Sequence, residues 1–295
     1  MSEAVLTPRH AWQPLTPRGV AAFAPATFAR LFLAQFAVAA LVALAVVWFL
    51  HAEWFPVVRA AIGKLPADSL IQGGTLRWPA ATSAPLAENR LLSLVVDAAD
   101  AGETGRSADV TVVLHKNYFK ICSLAGCWRV AYPPAWRVGL NRPELEPWWG
   151  AWHWPVLAVV ALLVMVALLA GWCLLATIYF PFAKLAGFFA DRELTWAGSW
   201  RLAGAALLPG AFLNIAGLFF YSIHALDLIH LGLIYLLHIV CGWVFIAASP
   251  FFLPKESALA AASPNPFVSA PQSETKPEQK LENPFGSSGP PGGDN

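Results

Sequence analysis

Four long apolar runs with almost no charge divide this chain, and between the first two the pattern changes to short alternation. Residues 31–50 form the first run, with Gln35 its one strongly polar member. Residues 155–180, 202–221 and 228–249 form the other three. A helix needs about 20 apolar residues to cross a bilayer. Each run reaches that length, so the pattern predicts four transmembrane helices, the second long enough to tilt. A buried core helix is the alternative reading of a single run, and four full-length runs argue against it. Pro209-Gly210 interrupts the third run. The proline removes a backbone hydrogen bond and leaves either a hinge or a packing kink.

Residues 51–154 read as a small α+β domain between the first and second transmembrane helices. A short helix is expected over 57–65, leading away from the membrane. Strands are expected at 91–98, 108–114, 118–122 and 127–132, with Gly73-Gly74, Gly102, Gly105 and Pro133-Pro134 as punctuation. Cys122 and Cys127 bracket Ser-Leu-Ala-Gly at a hairpin tip. On an oxidising side of the membrane a disulfide is the natural reading. Free thiols, or half of a metal site with His115 nearby, remain open. Cys173 and Cys241 fall inside apolar runs and read as small apolar fillers.

Charge then orients the chain. Arg9, Arg18 and Arg30 precede the first run, Lys184, Arg192 and Arg201 lie between the second and third, and Lys255, Lys276 and Lys280 follow the fourth. The turn at 222–227 has no Lys or Arg. The long 51–154 segment holds ten, but long loops cross largely regardless of charge. The bias puts both termini in the cytoplasm and the α+β domain outside, in a bacterial inner (plasma) membrane. The first run is too long, and too poorly followed by small residues, for a cleaved signal peptide, and reads as a signal anchor. Residues 1–30 are then a cytoplasmic segment, 181–201 a cytoplasmic connection, 222–227 an outer turn and 250–295 a cytoplasmic tail. The tail is rich in Pro, Ser, Gly and Glu and is expected to be disordered. Its two Asn-Pro-Phe triplets, at 265–267 and 283–285, are either docking peptides or chance. Tryptophans crowd the expected boundaries: Trp48 and Trp54, then Trp148, Trp149, Trp152 and Trp154, then Trp196 and Trp200. Amphipathic rings prefer the headgroup layer.

Composition agrees. The chain is 57% hydrophobic and 13% charged, with a mean hydropathy of +0.55. A soluble domain carries roughly 25% charged residues. A net charge of +1 gives no reason to expect a nucleic-acid partner.

Polar groups inside membranes are costly and often functional. Asn214 and His238 fall near the middles of the third and fourth runs, which must be antiparallel. A hydrogen bond between them is expected to join the two helices; a proton or ion path is the alternative. At the outer boundary His224, Asp227 and His230 follow at three-residue spacing, at the level of His51 and His153. These five either form a metal or pH-sensing site or cap helix ends. Asp97, Asp100 and Glu103 read as solvated loop charges. The sequence has no GxxxxGK[ST], HExxH or GxSxG, and no intramembrane Asp pair. It implies no catalytic residue and no cofactor.

Several stretches resemble a bacterial family of polytopic membrane proteins of unknown function, some encoded near maltodextrin-utilisation genes. They are Leu65-Pro66 with Ile71-Gln72-Gly73-Gly74-Thr75-Leu76, the LVVDA ending at Ala98, and Glu193-Leu194-Thr195-Trp196 through the AALLPG that ends at Gly210. The resemblance implies the same one-helix, domain, three-helix layout and carries no activity. The cysteine hairpin and the long tail depart from it. The expectation is a non-enzymatic envelope protein whose outer domain binds or scaffolds a protein partner or a second copy. An accessory transporter subunit is the alternative, and an enzyme built on the outer histidines a third.

Overall fold

The computed structural model describes residues 14–79, 84–99 and 108–255. Both Asn-Pro-Phe triplets, Asp100 and Glu103 lie outside the described residues.

The first long helix does not stop where its apolar run ends. After a short helix α1 (Pro17–Ala21), helix α2 (Phe28–Phe49) passes through a π-helical turn (Leu50–Trp54) into α3 (Phe55–Gly63), a rod of 36 residues. At 1.5 Å per residue it is roughly 54 Å long. Pro56 cannot donate a backbone hydrogen bond, and the turn before it widens to π geometry. The short helix expected at 57–65 is the end of this rod.

Eight strands follow: β1 (Leu70–Gln72), β2 (Thr75–Arg77), β3 (Ala84–Glu88), β4 (Leu92–Asp97), β5 (Val110–His115), β6 (Tyr118–Ser123), β7 (Gly126–Ala131) and β8 (Arg137–Gly139). They form two sheets, β2-β1-β8 and β3-β4-β5-β6-β7. β4 and β5 are parallel; every other pair is antiparallel. Gly73 and Gly74 turn β1 into β2 with φ of 61° and 78°, the left-handed conformation a two-residue hairpin requires. The predicted strands correspond to β4 to β7. One face of α3 (Val57, Ala61, Ile62) closes this domain's core against Leu76, Leu86, Leu92, Val96 and Tyr132. Cys122 and Cys127 stand opposite each other on β6 and β7 and are joined by a disulfide, so the thiol and metal readings fall away.

Helix α4 (Arg142–Phe189) is 48 residues long, starts on the Asn141 side-chain cap and carries Pro147, Pro155 and Pro181. It begins well inside the segment read as the α+β domain. The apolar run marks only its middle, and Pro155 and Pro181 stand at the two ends of that run. Helix α5 (Trp196–Ala206) and helix α6 (Leu208–Ser222) are separated at Leu207, just before Pro209. Helix α7 (Leu228–Ala248) ends in a 3-10 turn (Ser249–Phe252). Four helical stretches, Phe28–Gly63, Arg142–Phe189, Trp196–Ser222 and Leu228–Phe252, are long and apolar enough to cross a membrane.

The third stretch is the centre of the bundle: 61% of its apolar window is buried, against 11% for the second and fourth. Small residues make this possible. A Cβ on Gly204 would stand 3.2 Å from both Gln35 Nε2 and Leu31 Cδ2, and 3.6 Å from Ala176. Gln35 is fully buried, and its amide donates to the Gly204 carbonyl at 3.4 Å. Backbones meet closely where side chains are small, as in membrane helix pairs generally. α1 and the chain after it also enter this core: Val20, Ala21, Phe23 and Ala24 are buried in it. Arg201 holds that segment, donating from Nε and Nη2 to the Ala24 carbonyl at 3.2 and 2.7 Å. The second half of the 1–30 segment is therefore part of the bundle.

Gly210 is as tightly placed, since a Cβ there would lie 2.7 Å from the His238 carbonyl oxygen. Gly210→Ala should separate α6 from α7 and destabilise the bundle by about 1–3 kcal/mol. Gly232→Ala on α7, with nothing within 4 Å of the new methyl, should leave it unchanged or slightly stabilised. Thermal unfolding of both variants in lipid nanodiscs checks this.

Candidate functional site

The sheet domain meets the bundle at a junction of three turns. The Asn89 side chain, between β3 and β4, donates from Nδ2 to the Glu53 carbonyl in the π turn at 2.8 Å. Its Oδ1 accepts from the Leu91 and Leu92 amides at 2.9 and 2.8 Å. One side chain thus fixes its own turn and ties it to the rod. Arg90 Nη1 donates to the His224 carbonyl at 3.1 Å, and the Tyr221 hydroxyl donates to Asp109 Oδ2 at 2.9 Å. Beneath these polar contacts Phe49, Leu91 and Tyr221 form a buried apolar cluster with Trp54 and Leu226 packed on it. A cavity of about 380 Å³ opens beside the junction, with Arg90, Asp109, Leu124, Asp227 and Ile229 in its wall.

A second cavity, of about 450 Å³, lies between α3 and the first turns of α4. His51, Phe55 and Arg59 face it from the rod at four-residue spacing; Glu146, Trp149 and His153 face it from α4. The His51 ring stacks on Trp154 at 5.2 Å, and Phe55 meets Trp149 edge-on at 4.7 Å. His153 Nδ1 is 3.0 Å from the Trp149 carbonyl and 3.1 Å from the Gly150 carbonyl. Carbonyls only accept, so Nδ1 carries the hydrogen and Nε2 is left for another partner. Glu146 is held by Arg142 at 3.0 Å.

The five residues grouped by the sequence at one level separate into three places. His51 and His153 share the second cavity. His224 turns at a φ of 62° and its Nε2 stands 3.8 Å from Glu53 Oε2. Asp227 caps α7, accepting from the His230 amide at 2.8 Å and from its ring at 2.7 Å. Those contacts, the backbone one first, hold the Asp227 carboxyl below its usual range. Among the described residues no three His, Cys, Asp or Glu side chains converge to hold a metal ion. Position around the bundle sets these groups apart.

Asn214 and His238 are also not joined. The His238 ring bonds back to the Tyr235 carbonyl on its own helix, and no hydrogen bond links it to Asn214. Gly210 instead brings the α7 backbone against α6 at His238.

Asp97 is a further correction. It is fully buried, not solvated, and faces His115 across the parallel β4–β5 pair, Oδ2 to Nδ1, at 3.7 Å. The His115 ring stacks on Tyr118 at 4.5 Å. Tyr132, its pKa pushed up to about 12 by burial, remains a hydrogen-bond donor to the His115 carbonyl at 3.1 Å. A period-2 reading places Asp97 on a strand face, but the parallel pairing that sets it opposite His115 has no short-range signal.

The fold and these sites define a chain with four helices of membrane-crossing length and apolarity, and a small sheet-containing domain inserted between the first two. It matches no family model, and comparisons with curated proteins and with solved structures find nothing similar.

Asn89→Ala should leave the Leu91 and Leu92 amides without their acceptor and remove the tie to the Glu53 carbonyl, costing about 1–3 kcal/mol. Tyr221→Phe should cost about 0.5–1.5 kcal/mol. Hydrogen exchange reads both: the β3–β4 turn and the π turn should exchange faster together in Asn89→Ala, and unchanged exchange there removes the amide from the junction. Asp97→Ala removes a fully buried carboxyl from beside His115 and should cost about 1–3 kcal/mol, measured by denaturant unfolding of the intact chain.

Proposed function

We propose that this is a non-enzymatic protein of the bacterial inner membrane, with both termini cytoplasmic, whose extracytoplasmic sheet domain binds a partner protein of the envelope. The orientation follows from Lys184, Arg192 and Arg201 between the second and third apolar runs and the lack of Lys or Arg at 222–227. The layout agrees with the family resemblance carried by the Gln72-Gly73-Gly74 and AALLPG stretches.

The observation that carries the binding role is the edge of the five-stranded sheet. β7 pairs with β6 alone among the described strands. Its Trp128 is 55% exposed and its Val130 43%. Soluble proteins guard such edges with prolines, lysines or very short strands. This edge is six residues long, and Arg129 is its only charge. An added strand would satisfy the open row of backbone groups and cover Trp128 and Val130, the usual mode of strand addition. The disulfide at Cys122 and Cys127 holds that edge in register, so it is preorganised for pairing.

Site-specific photocrosslinking from position 128 in native membranes tests the reading. The expected outcome is one defined protein adduct that disappears in Arg129→Pro, which removes an outward-facing edge amide, while the amount of protein in the membrane stays the same. An adduct pattern indifferent to Arg129→Pro counts against strand addition. Alkaline phosphatase fused after residue 139 should be active and fused after 192 inactive; the reverse pattern overturns the orientation.

An accessory subunit of a membrane transporter is the second reading. The exposed apolar flanks of α4 and α7, including Leu162, Leu163, Leu233 and Leu236, motivate it. A membrane subunit co-purifying in mild detergent, and lost when Leu233 and Leu236 are both replaced by Ala, would favour it over the envelope partner.

A further inference from the structure

We propose that the cavity between α3 and the start of α4 binds a phosphate group, presented by the headgroup of an anionic lipid at the outer membrane surface. The inference uses the membrane reading of the four helices but not the strand-edge role of β7.

The cavity's level comes first. His51 directly follows the first apolar run, and His153 stands two residues before the second begins at Pro155. Both walls therefore leave the hydrocarbon at the same height. Trp48, Trp148, Trp152 and Trp154 are exposed around this level, where amphipathic rings mark the headgroup layer.

Its chemistry comes second. On the rod, His51, Phe55 and Arg59 form a ladder at four-residue spacing that rises from the apolar edge outward. On α4, running the other way, His153, Trp149 and Glu146 form the facing ladder. Arg59 makes no ion pair among the described residues, while Glu146, the cavity's carboxylate, is taken up by Arg142 at 3.0 Å. The groups left over are a guanidinium and two imidazoles. His153 has its Nδ1 committed to backbone carbonyls and its Nε2 available. A guanidinium fork matches phosphate oxygens two at a time. Phe55, Trp149 and Trp154 supply apolar walls toward the membrane side, where the glycerol and acyl portions of a lipid would lie. A cavity of about 450 Å³ is within the range of small-ligand sites.

A soluble phosphate would use the same donors, so the test has two arms. The full-length protein in detergent is presented with phosphatidylglycerol, and retained lipid is counted by native mass spectrometry. The expected result is one retained molecule in the wild type and about tenfold lower occupancy in Arg59→Gln. Glu146→Gln, which removes an opposing carboxylate, should retain as much lipid or more. In the second arm inorganic phosphate is titrated without lipid. Retained phosphatidylglycerol that millimolar phosphate does not displace assigns the site to a lipid. Arg59-dependent binding of phosphate alone, with no lipid retained, keeps the phosphate chemistry and overturns the lipid source. Equal retention in wild type and Arg59→Gln overturns the proposal, as does equal loss in Arg59→Gln and Glu146→Gln, whose charge changes have opposite sign. Binding of neither probe by the wild type also overturns it.

Discussion

The position of the whole sheet domain depends on one widened helical turn and the amide that reads it. Pro56 supplies no backbone hydrogen, and the helix before it relaxes to π geometry over Leu50–Trp54. The Glu53 carbonyl in that turn accepts the Asn89 amide at 2.8 Å. The rod then continues as α3, whose Val57, Ala61 and Ile62 are already part of the sheet domain's core. A single element therefore belongs to both halves of the molecule. The domain is not tethered by a loop, and Asn89, Arg90 and Asp109 serve to fix its rotation about the rod.

Within the bundle the same economy appears as small residues against backbone. Without a hydrophobic force between helices in lipid, close packing and hydrogen bonds must hold them together. Gly204 admits Leu31 and Gln35, Gly210 admits the α7 backbone, and a Cβ on Gly217 would stand 2.8 Å from Ile234. The Trp196–Ser222 stretch, which carries all three glycines on α5 and α6, is accordingly the most buried of the four. Its neighbours turn Leu162, Leu163, Leu233 and Leu236 outward, an arrangement that water would penalise and lipid would not. Gln35 is then understandable as a register pin: its one hydrogen bond, to Gly204, is available at a single sliding position of α2 on α5.

What the sequence made legible follows from which forces act locally. The apolar runs were readable because a length and composition sufficient to cross a bilayer stand out along the chain. The helices' true ends were not, since residues 51–63 and 142–154 are amphipathic and answer to packing between α3 and α4 instead of to a bilayer. β4 to β7 were readable by alternation and by the cysteine pair. β1, β2 and β8, with three residues each, carry too few positions for a period. The parallel β4–β5 register, which buries Asp97 against His115, depends on a crossover with no local signal. The histidine cluster failed for a geometric reason: sequence gives depth along each helix, whereas convergence also needs the angle around the bundle. His51 and His153 converge because α3 and α4 are neighbours; His224 and His230 do not, because α6 and α7 carry them elsewhere.

The placement of the disulfide hairpin links these two halves of the argument. Leu124, at the tip between β6 and β7, is 55% exposed and shares the junction cavity with Asp227 and Ile229. The Asn89–Arg90 turn ties the sheet to the rod, the β6–β7 tip borders the same cavity as the start of α7, and the Cys122–Cys127 bond stiffens that tip at its base. Because β7 starts at that tip, its open edge begins beside the junction cavity and runs on at about 3.3 Å per residue. A strand added along this edge would have one end beside the start of the fourth apolar stretch. A partner anchored in the same membrane meets that requirement with a short linker, whereas one reaching in from a distance must give up more chain entropy to align.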